Sequence, residues 1–221
     1  YYGPTHIAVN ETDRNIFIAD STNNRVAAIP YAAISSNLRM RDVLGHTDPQ
    51  GNQVSFTASA INSPNSGKLS SPTYVAVDEN YGRIYISDTG NNRILIFPAS
   101  TTTGKPTSVF ASYVFGTPAS PGQSDHFLNI PLSALSVSLN SLNAPKGLAL
   151  TSTGAIFVAD SGNNRILKFP TNATYISSTL APSLVLGQSN FTTSTSGAGV
   201  AGLNGPVGLA YNSTDSKLYV A

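Results

Sequence analysis

The segment APKGLALTSTGAIFVADSGNNRILKFP, from Ala144 to Pro170, decides the fold because the chain repeats it. Related segments run from Gly3 to Pro30 and from Ser71 to Pro98. A shorter copy starts at Gly205 and stops at Ala221. In each full copy a proline stands near the start, and an aspartate precedes an arginine by five residues. Repetition of this length predicts an array of similar structural units.

Each copy consists of short apolar runs separated by turn residues. A run that alternates β-branched or aromatic residues with others is typical of a half-buried strand. The next run starts at the arginine and ends at a proline, which cannot donate to a β-ladder. The connections are rich in Asn, Asp, Gly, Ser and Thr, as tight hairpins require. A fourth run recurs as DVLG, YVFG and LVLG, ending at Gly45, Gly116 and Gly187.

Four antiparallel strands per repeat predict an all-β fold, a β-propeller with about three and a half four-stranded blades. The blades are expected at about 3–45, 71–116 and 144–187, with half a blade at about 205–221. A solenoid is the competing repeat fold, but its repeats stack in parallel, which the hairpin turns disfavour. Since the last copy contains two strands, we expect a fragment of a longer chain; an arc completed by other copies is the alternative.

Composition narrows the function. Charged residues make up 10% of the chain against about 25% in a typical soluble domain, which favours an extracellular or cell-surface protein. The net charge of +1 gives no basic excess for phosphates, so we expect no nucleic-acid partner. No apolar run reaches the length of a membrane span, so no membrane insertion is predicted. The absence of cysteine excludes disulfides and thiolate chemistry.

The repeat resembles the NHL-repeat family of β-propellers. The match is fullest at Pro145–Phe169, with its glycine and alanine after the proline and its Asp-Ser-Gly-Asn-Asn-Arg turn. Long inserts such as Val185–Pro206 are similar to those of bacterial NHL proteins with enlarged inter-blade loops. The resemblance implies a ring of about six blades. It also implies a function among scaffolding, peptide or RNA binding and, in a few members, catalysis.

The Asp-x-x-Asn-Asn-Arg turn has two interpretations. A functional one is a ring of carboxylates and guanidiniums lining one face. The structural one, which we favour, has Asp accepting turn donors, Asn in the left-handed region and Arg pairing back to Asp or packing between blades. Three copies favour architecture, because one catalytic centre needs no copies. The residues are Asp20, Asn23, Asn24, Arg25, Asp88, Asn91, Asn92, Arg93, Asp160, Asn163, Asn164 and Arg165.

No pattern predicts a catalytic residue, a metal site or a cofactor. The histidines occupy non-equivalent positions without the convergent spacing of a zinc site. No Gly-x-Ser-x-Gly nucleophile elbow occurs. An axial calcium bound by backbone carbonyls stays open, because sequence does not show such ligands. The residues considered were His6, His46 and His126, and Asp48, Asp78 and Asp125, which we interpret as turn residues.

Four Asn-x-Ser/Thr sequons predict N-glycosylation: Asn10, Asn172, Asn190 and Asn212. Asn10 and Asn212 lie between first and second strands, and Asn172 lies between third and fourth. These two connections emerge on one face of an up-and-down blade. Asn190 lies in an inter-blade insert on the opposite face. Glycans would therefore favour one face and leave the other freer for contacts.

Three long inserts, His46–Ser71, Thr117–Ala144 and Gln188–Gly205, join a fourth strand to the next blade. They share a face with the Asn-Asn-Arg turns, and loops of this length are usually functional or disordered. Each contains a phenylalanine: Phe56, Phe127 and Phe191. These rings either anchor their loops on the neighbouring blade or form a contact surface for a glycan, a peptide or another subunit.

The sequence thus favours a non-enzymatic extracellular scaffold or binding propeller, glycosylated and part of a larger assembly or filament. Its expected partner is a protein, a glycan or another copy of the chain. The resemblance implies one alternative, a propeller enzyme of lyase or lactonase type whose metal site is completed by other blades. RNA binding is disfavoured because the chain has only 12 basic residues and a net charge of +1.

Overall fold

The computed structural model describes residues 3–11, 14–30, 42–46, 66–116, 137–172, 179–199 and 201–221. Within these ranges the regular structure is all β, apart from three single-turn 3-10 helices at Ser21–Asn23, Thr89–Asn91 and Ser161–Asn163. The strands are β1 (Pro4–Val9), β2 (Ile16–Asp20), β3 (Arg25–Ile29), β4 (Asp42–Leu44), β5 (Tyr74–Asp78), β6 (Arg83–Asp88), β7 (Arg93–Pro98), β8 (Tyr113–Phe115), β9 (Pro145–Leu150), β10 (Ile156–Asp160), β11 (Arg165–Phe169), β12 (Leu184–Leu186), β13 (Leu209–Asn212) and β14 (Lys217–Val220).

The strands form three four-stranded antiparallel sheets, β1–β4, β5–β8 and β9–β12, and a two-stranded sheet, β13–β14. Each sheet follows chain order, as in a propeller blade. The predicted propeller fold, with about three and a half blades, is confirmed. We call the sheets blades 1, 2 and 3 and half-blade 4. First strands of successive blades contact one another, so β1, β5, β9 and β13 lie side by side.

The core lies between blades rather than within them. One apolar cluster joins blade 1, through Phe17 and Leu44, to blade 2, through Ile84 and Leu95. Equivalent clusters join blade 2 to blade 3 and blade 3 to half-blade 4. We call these contacts the first, second and third junctions. Each buried large side chain contributes about 1.5–3 kcal/mol, so every blade depends on its neighbours for stability.

Aromatic pairs lie at two junctions. Phe115 of blade 2 stacks on Phe169 of blade 3, with ring centroids 4.5 Å apart and planes 7° apart. Phe157 of blade 3 stacks on Tyr211 of half-blade 4 at 5.8 Å. Such pairs add about 0.5–1.5 kcal/mol beyond their buried area. Aromatic stacking therefore stabilises both the second and the third junction.

The faces at the two ends of the arc carry the residue types that the junctions bury. Ile7 of β1 is 59% exposed, whereas its counterpart in blade 2, Val75, is fully buried against blade 1. At the other end Tyr219 of β14 is 56% exposed, whereas its counterpart Tyr85 is fully buried. Both end faces are therefore apolar surfaces of the kind that binds another blade.

The residue before each blade's proline has a left-handed backbone. The φ angles are +46° at Ser71, +46° at Ala144 and +58° at Gly205. This conformation costs an L-residue about 1–2 kcal/mol, and glycine adopts it without a steric cost. Blades 2 and 3 are thus entered through a strained residue.

We therefore expect Ala144→Gly to stabilise the protein. Relief of the left-handed strain exceeds the extra chain entropy of glycine by about 0.5–1 kcal/mol. Urea-induced unfolding measures the change. The control is Ala210→Gly in β13, which has no such φ angle and should lose about 0.5–1 kcal/mol. A loss of stability at position 144 equal to that of the control would contradict this account.

Candidate functional site

The Asp-x-x-Asn-Asn-Arg segments form the turn between the second and third strands of each full blade. The aspartate ends the second strand, one 3-10 turn follows, and the arginine begins the third strand. The second asparagine closes the turn in the left-handed region, with φ of +53° at Asn24, +55° at Asn92 and +51° at Asn164. Asparagine tolerates that region better than most residues, which explains its recurrence.

Inside the turn, aspartate and arginine form a buried ion pair. The distance from Arg93 Nε to Asp88 Oδ2 is 2.7 Å, and neither side chain is exposed. Asn91 Nδ2 donates to the same carboxylate at 2.8 Å, and the backbone N–H of Ser70 donates to Asp88 Oδ1 at 2.6 Å. These three contacts compensate the desolvation of the buried charges. The equivalent pairs are Asp20–Arg25 and Asp160–Arg165.

The carboxylates of two turns have shifted pKa values. Burial raises the pKa of Asp88 and of Asp160, while the paired arginine and the backbone and asparagine donors act in the opposite direction. Burial penalises the charged form, so the ionised carboxylate depends on its arginine. Each charged side chain is therefore stable in the core only while its partner is present.

The arginines also hold the inserts. Arg93 Nη2 donates to the carbonyl of Lys68 at 2.8 Å, and Arg165 Nη2 donates to that of Ser141 at 2.6 Å. Arg165 Nη1 donates to the carbonyl of Phe191 as well. One guanidinium thus fixes the chain before its blade and, in blade 3, the insert after it.

The second asparagine links each blade to the next. Its Oδ1 accepts a hydrogen bond from the backbone N–H of the residue before the next blade's proline. The pairs are Asn24 with Ser71 at 2.7 Å, Asn92 with Ala144 at 2.8 Å, and Asn164 with Gly205 at 2.8 Å. The left-handed residue at each blade entry is therefore held by the turn of the preceding blade. Sequence reasoning missed this link between blades.

A hydroxyl adds a second link at two junctions. Thr89 Oγ1 donates to the carbonyl of Pro145 at 2.6 Å, and Ser161 Oγ donates to that of Pro206 at 2.5 Å. Through these contacts and the asparagine bond, the polar side chains of the turn form hydrogen bonds within the protein. The turns therefore act as structural links and leave little chemistry for a substrate.

The third insert is folded against blade 3. Gln188 Nε2 donates to the carbonyls of Asn164 and Thr195, both at 2.8 Å, and its Oε1 accepts from the N–H of Thr195 at 3.1 Å. Beside it lies a hollow of about 380 Å³, lined by small polar residues such as Ser189 and Ser196. An adjoining apolar hollow of about 430 Å³ includes Leu186 and Val220.

Among the three phenylalanines, the structure describes Phe191 alone; Phe56 and Phe127 lie outside the described residues. Phe191 is partly buried and packs against the apolar cluster of the second junction. This position corresponds to the anchoring interpretation of that ring. The exposed hydroxyl and amide groups of the insert remain for external contacts.

The sequons differ in accessibility. Asn10 is only 1% exposed because Gly104 packs directly against its side chain. The contact is so close that a Cβ atom added at Gly104 would lie 2.1 Å from Asn10 Nδ2. A sugar therefore has no room on Asn10, which corrects the expectation of a glycan there. Asn172, Asn190 and Asn212 are exposed. In the two sequons described in full, Thr192 N–H donates to Asn190 Oδ1 and Thr214 N–H donates to Asn212 Oδ1, each at 2.9 Å.

The histidines do not converge. His6 stacks on Tyr74 with ring centroids 3.4 Å apart, and burial lowers the pKa of His6. His46 is buried, with Nε2 2.7 Å from the carbonyl of Asn23. His126 lies outside the described residues, as do Asp48 and Asp125. No group of three His, Asp or Glu side chains suited to a metal occurs in the described part of the chain.

A family model described as the teneurin NHL domain matches residues 42–221. No curated protein matches the chain significantly. In the described ranges, no helix is long and apolar enough to cross a membrane.

Three solved structures illustrate the fold. A 6-phosphogluconolactonase candidate from Bacteroides uniformis is 16% identical in sequence, with a TM-score of 0.55. The alignment covers 98% of this chain and 49% of that protein. A nutrient-binding protein from Bacteroides thetaiotaomicron is 11% identical, with TM-score 0.55 and coverage of 96% and 43%. A streptogramin B lyase is 15% identical, with TM-score 0.50 and coverage of 99% and 48%. The chain thus spans about half the length of these proteins.

Substitutions at Asn92 separate its two roles. Asn92→Gly keeps the left-handed turn but leaves the N–H of Ala144 without its acceptor, a loss of about 1–3 kcal/mol. Asn92→Ala also carries the left-handed strain and should lose about 1 kcal/mol more. Urea unfolding of both variants measures the difference. If Asn92→Gly is as stable as the wild type, the link to blade 3 contributes nothing.

Proposed function

Because the chain belongs to the teneurin NHL domain family, we propose that it is a non-enzymatic extracellular binding propeller whose partner is a protein or a glycan. One observation carries this proposal. The repeated polar side chains of the turns are used in links within and between blades, so they form no reaction centre. The surface left for function is the insert side of the blades, which those links hold in place.

The third insert supports a binding role. Its fold is fixed by Arg165 and Gln188, so its outer groups need little further ordering when a partner binds. The polar hollow presents hydroxyls and an amide rather than charges, lined among others by Ser189, Thr193 and Ser196. With a net charge of +1, recognition would rest on hydrogen bonds and shape. Neutral sugars and uncharged protein surfaces fit that chemistry.

Glycosylation and secretion belong to the same proposal. The exposed Asn190 and Asn212 have their side-chain oxygens occupied by the following threonine, and Asn172 is exposed as well. Low charge and the absence of cysteine are compatible with an exterior location.

Assembly is the third part of the proposal. The exposed apolar faces at Ile7 and Tyr219 correspond to the two sides of one junction. Further blades of a longer chain would bury these faces, and so would a head-to-tail contact between copies. A heterologous contact of this kind closes a ring or grows a filament.

A propeller enzyme of lyase or lactonase type is the second candidate. The observation in its favour is His6, which lies on the first strand of blade 1. Burial lowers the pKa of His6, so its imidazole stays neutral at a lower pH than that of an exposed histidine. A neutral imidazole is a general base or a metal ligand. Among the described residues, no group of three His, Asp or Glu side chains suited to a metal includes His6, so the binding role is preferred.

We expect the chain to carry glycans when it is secreted from a eukaryotic cell. Intact mass before and after peptide N-glycosidase treatment should show sugar on Asn190 and Asn212. Asn190→Gln and Asn212→Gln should each remove one glycan, and Asn10→Gln should change nothing because Asn10 is buried. An unmodified mass for the secreted wild type would contradict this part of the proposal.

We expect the 221-residue chain to self-associate reversibly in sedimentation velocity experiments. Ile7→Asp should weaken the association about tenfold or more, because it replaces an apolar side chain at the contact with a charge. Phe110→Asp is the matched control, since Phe110 is also exposed but lies in the loop before β8. A monomer at every concentration would refute the assembly.

A further inference from the structure

At the second junction, blade 2 presents an acidic, a basic and a phenolic side chain where blades 1 and 3 have uncharged residues and a phenylalanine. In the hairpin of β5 and β6, Asp78 is the direct cross-strand partner of Arg83, and Tyr85 is the partner of Ala76. Asp78, Arg83 and Tyr85 thus share one face, which is turned toward blade 3. At the same positions blade 1 has Asn10, Asn15 and Phe17, and blade 3 has Thr151, Ala155 and Phe157.

A matched exchange occurs on the facing blade. Phe17 of blade 1 packs in one apolar cluster with Ala99 of blade 2. The position of Ala99 corresponds to Thr171 in blade 3, and Thr171 lies beside Tyr85. An apolar pair at the first junction is therefore replaced by two hydroxyls at the second. Since the apolar pair supports the same blade contact, packing alone does not require the polar one.

Two oxygen atoms in this group have no protein partner among the described residues. Asp78 is 6% exposed; its Oδ1 accepts from Tyr81 N–H at 3.3 Å, but the buried Oδ2 accepts nothing. Tyr85 is fully buried, and Thr171 and Arg83 lie within hydrogen-bonding reach of its hydroxyl, but neither is aligned for a full hydrogen bond to it.

Two of the neighbouring polar groups donate to backbone carbonyls. Arg83 Nη2 donates to the carbonyl of Asn172 at 2.8 Å, and its guanidinium lies 5.4 Å from the ring centre of Tyr81. Thr171 Oγ1 donates to the carbonyl of Gly154. Buried polar atoms rarely stay unpaired, and ordered water is the usual partner when protein groups are not in place.

We propose that one ordered water molecule occupies the second junction, accepting a hydrogen bond from the Tyr85 hydroxyl and donating one to Asp78 Oδ2. Burial raises the pKa of Tyr85, so its hydroxyl keeps its proton and serves as the donor. The carboxylate of Asp78 disfavours an anion in this place, and the guanidinium of Arg83 disfavours a cation. A neutral ligand of water's size matches both constraints.

A crystal structure of the whole chain at a resolution that shows ordered water tests the proposal. A density peak within about 3.2 Å of both Asp78 Oδ2 and Tyr85 Oη supports it. A direct bond between the two side chains, an empty site, or a peak at the shorter distances of a metal ion overturns it.

The double variant Tyr85→Phe/Thr171→Ala provides the matched comparison, because it installs the Phe–Ala pair of the first junction. The water peak should disappear while the blades keep their contact. Persistence of the same peak in this variant overturns the bridge. If the variant does not fold, nuclear Overhauser contacts between water and the Tyr85 hydroxyl in the wild type decide: a long-lived contact supports the bridge, and its absence overturns it.

Discussion

The buried pair of aspartate and arginine is the interaction on which the rest of this structure depends. In blade 2, Asp88 and Arg93 are both fully buried, and each is tolerated there because the other neutralises it. The pair closes the turn, and the closed turn places the second asparagine in a left-handed conformation. From that position Asn92 reaches the entry of blade 3, while Arg93 fixes the carbonyl of Lys68 before blade 2. One local ion pair thus positions chain segments from three parts of the sequence.

The apolar clusters and the polar links contribute to the junctions in different ways. Sheet faces supply most of the buried area at each junction, but an apolar contact alone does not fix the register of one blade on the next. The asparagine bond and the hydroxyl bond of Thr89 to Pro145 are directional and sit at the edge of the contact. They therefore set how far one blade is rotated relative to its neighbour. The inserts start and end beside these links, so the proposed binding surface lies at the end of the blades that the links hold in place.

Much of the fold follows from local sequence. The strands, their order and the pairing of Asp with Arg are contained in one repeat, because two residues five apart face each other across a tight turn. Contacts between repeats were not predictable in this way. Asn24 and Ser71 are 47 residues apart, and their bond depends on how two finished sheets pack. The burial of Asn10 had the same cause, since Gly104 of the next blade covers an asparagine that the sequence alone assigns to an open hairpin loop.

The unfolding free energy of Asp88→Ala tests the central role of the ion pair most directly. Removal of this carboxylate leaves Arg93 buried without its counter-charge, so we expect a loss of about 3–5 kcal/mol in the free energy of unfolding. Asp215→Ala breaks the exposed pair with Lys217 and should cost about 0–1 kcal/mol. Chemical denaturation of both variants gives the comparison. A loss at position 88 as small as that at position 215 would contradict the account.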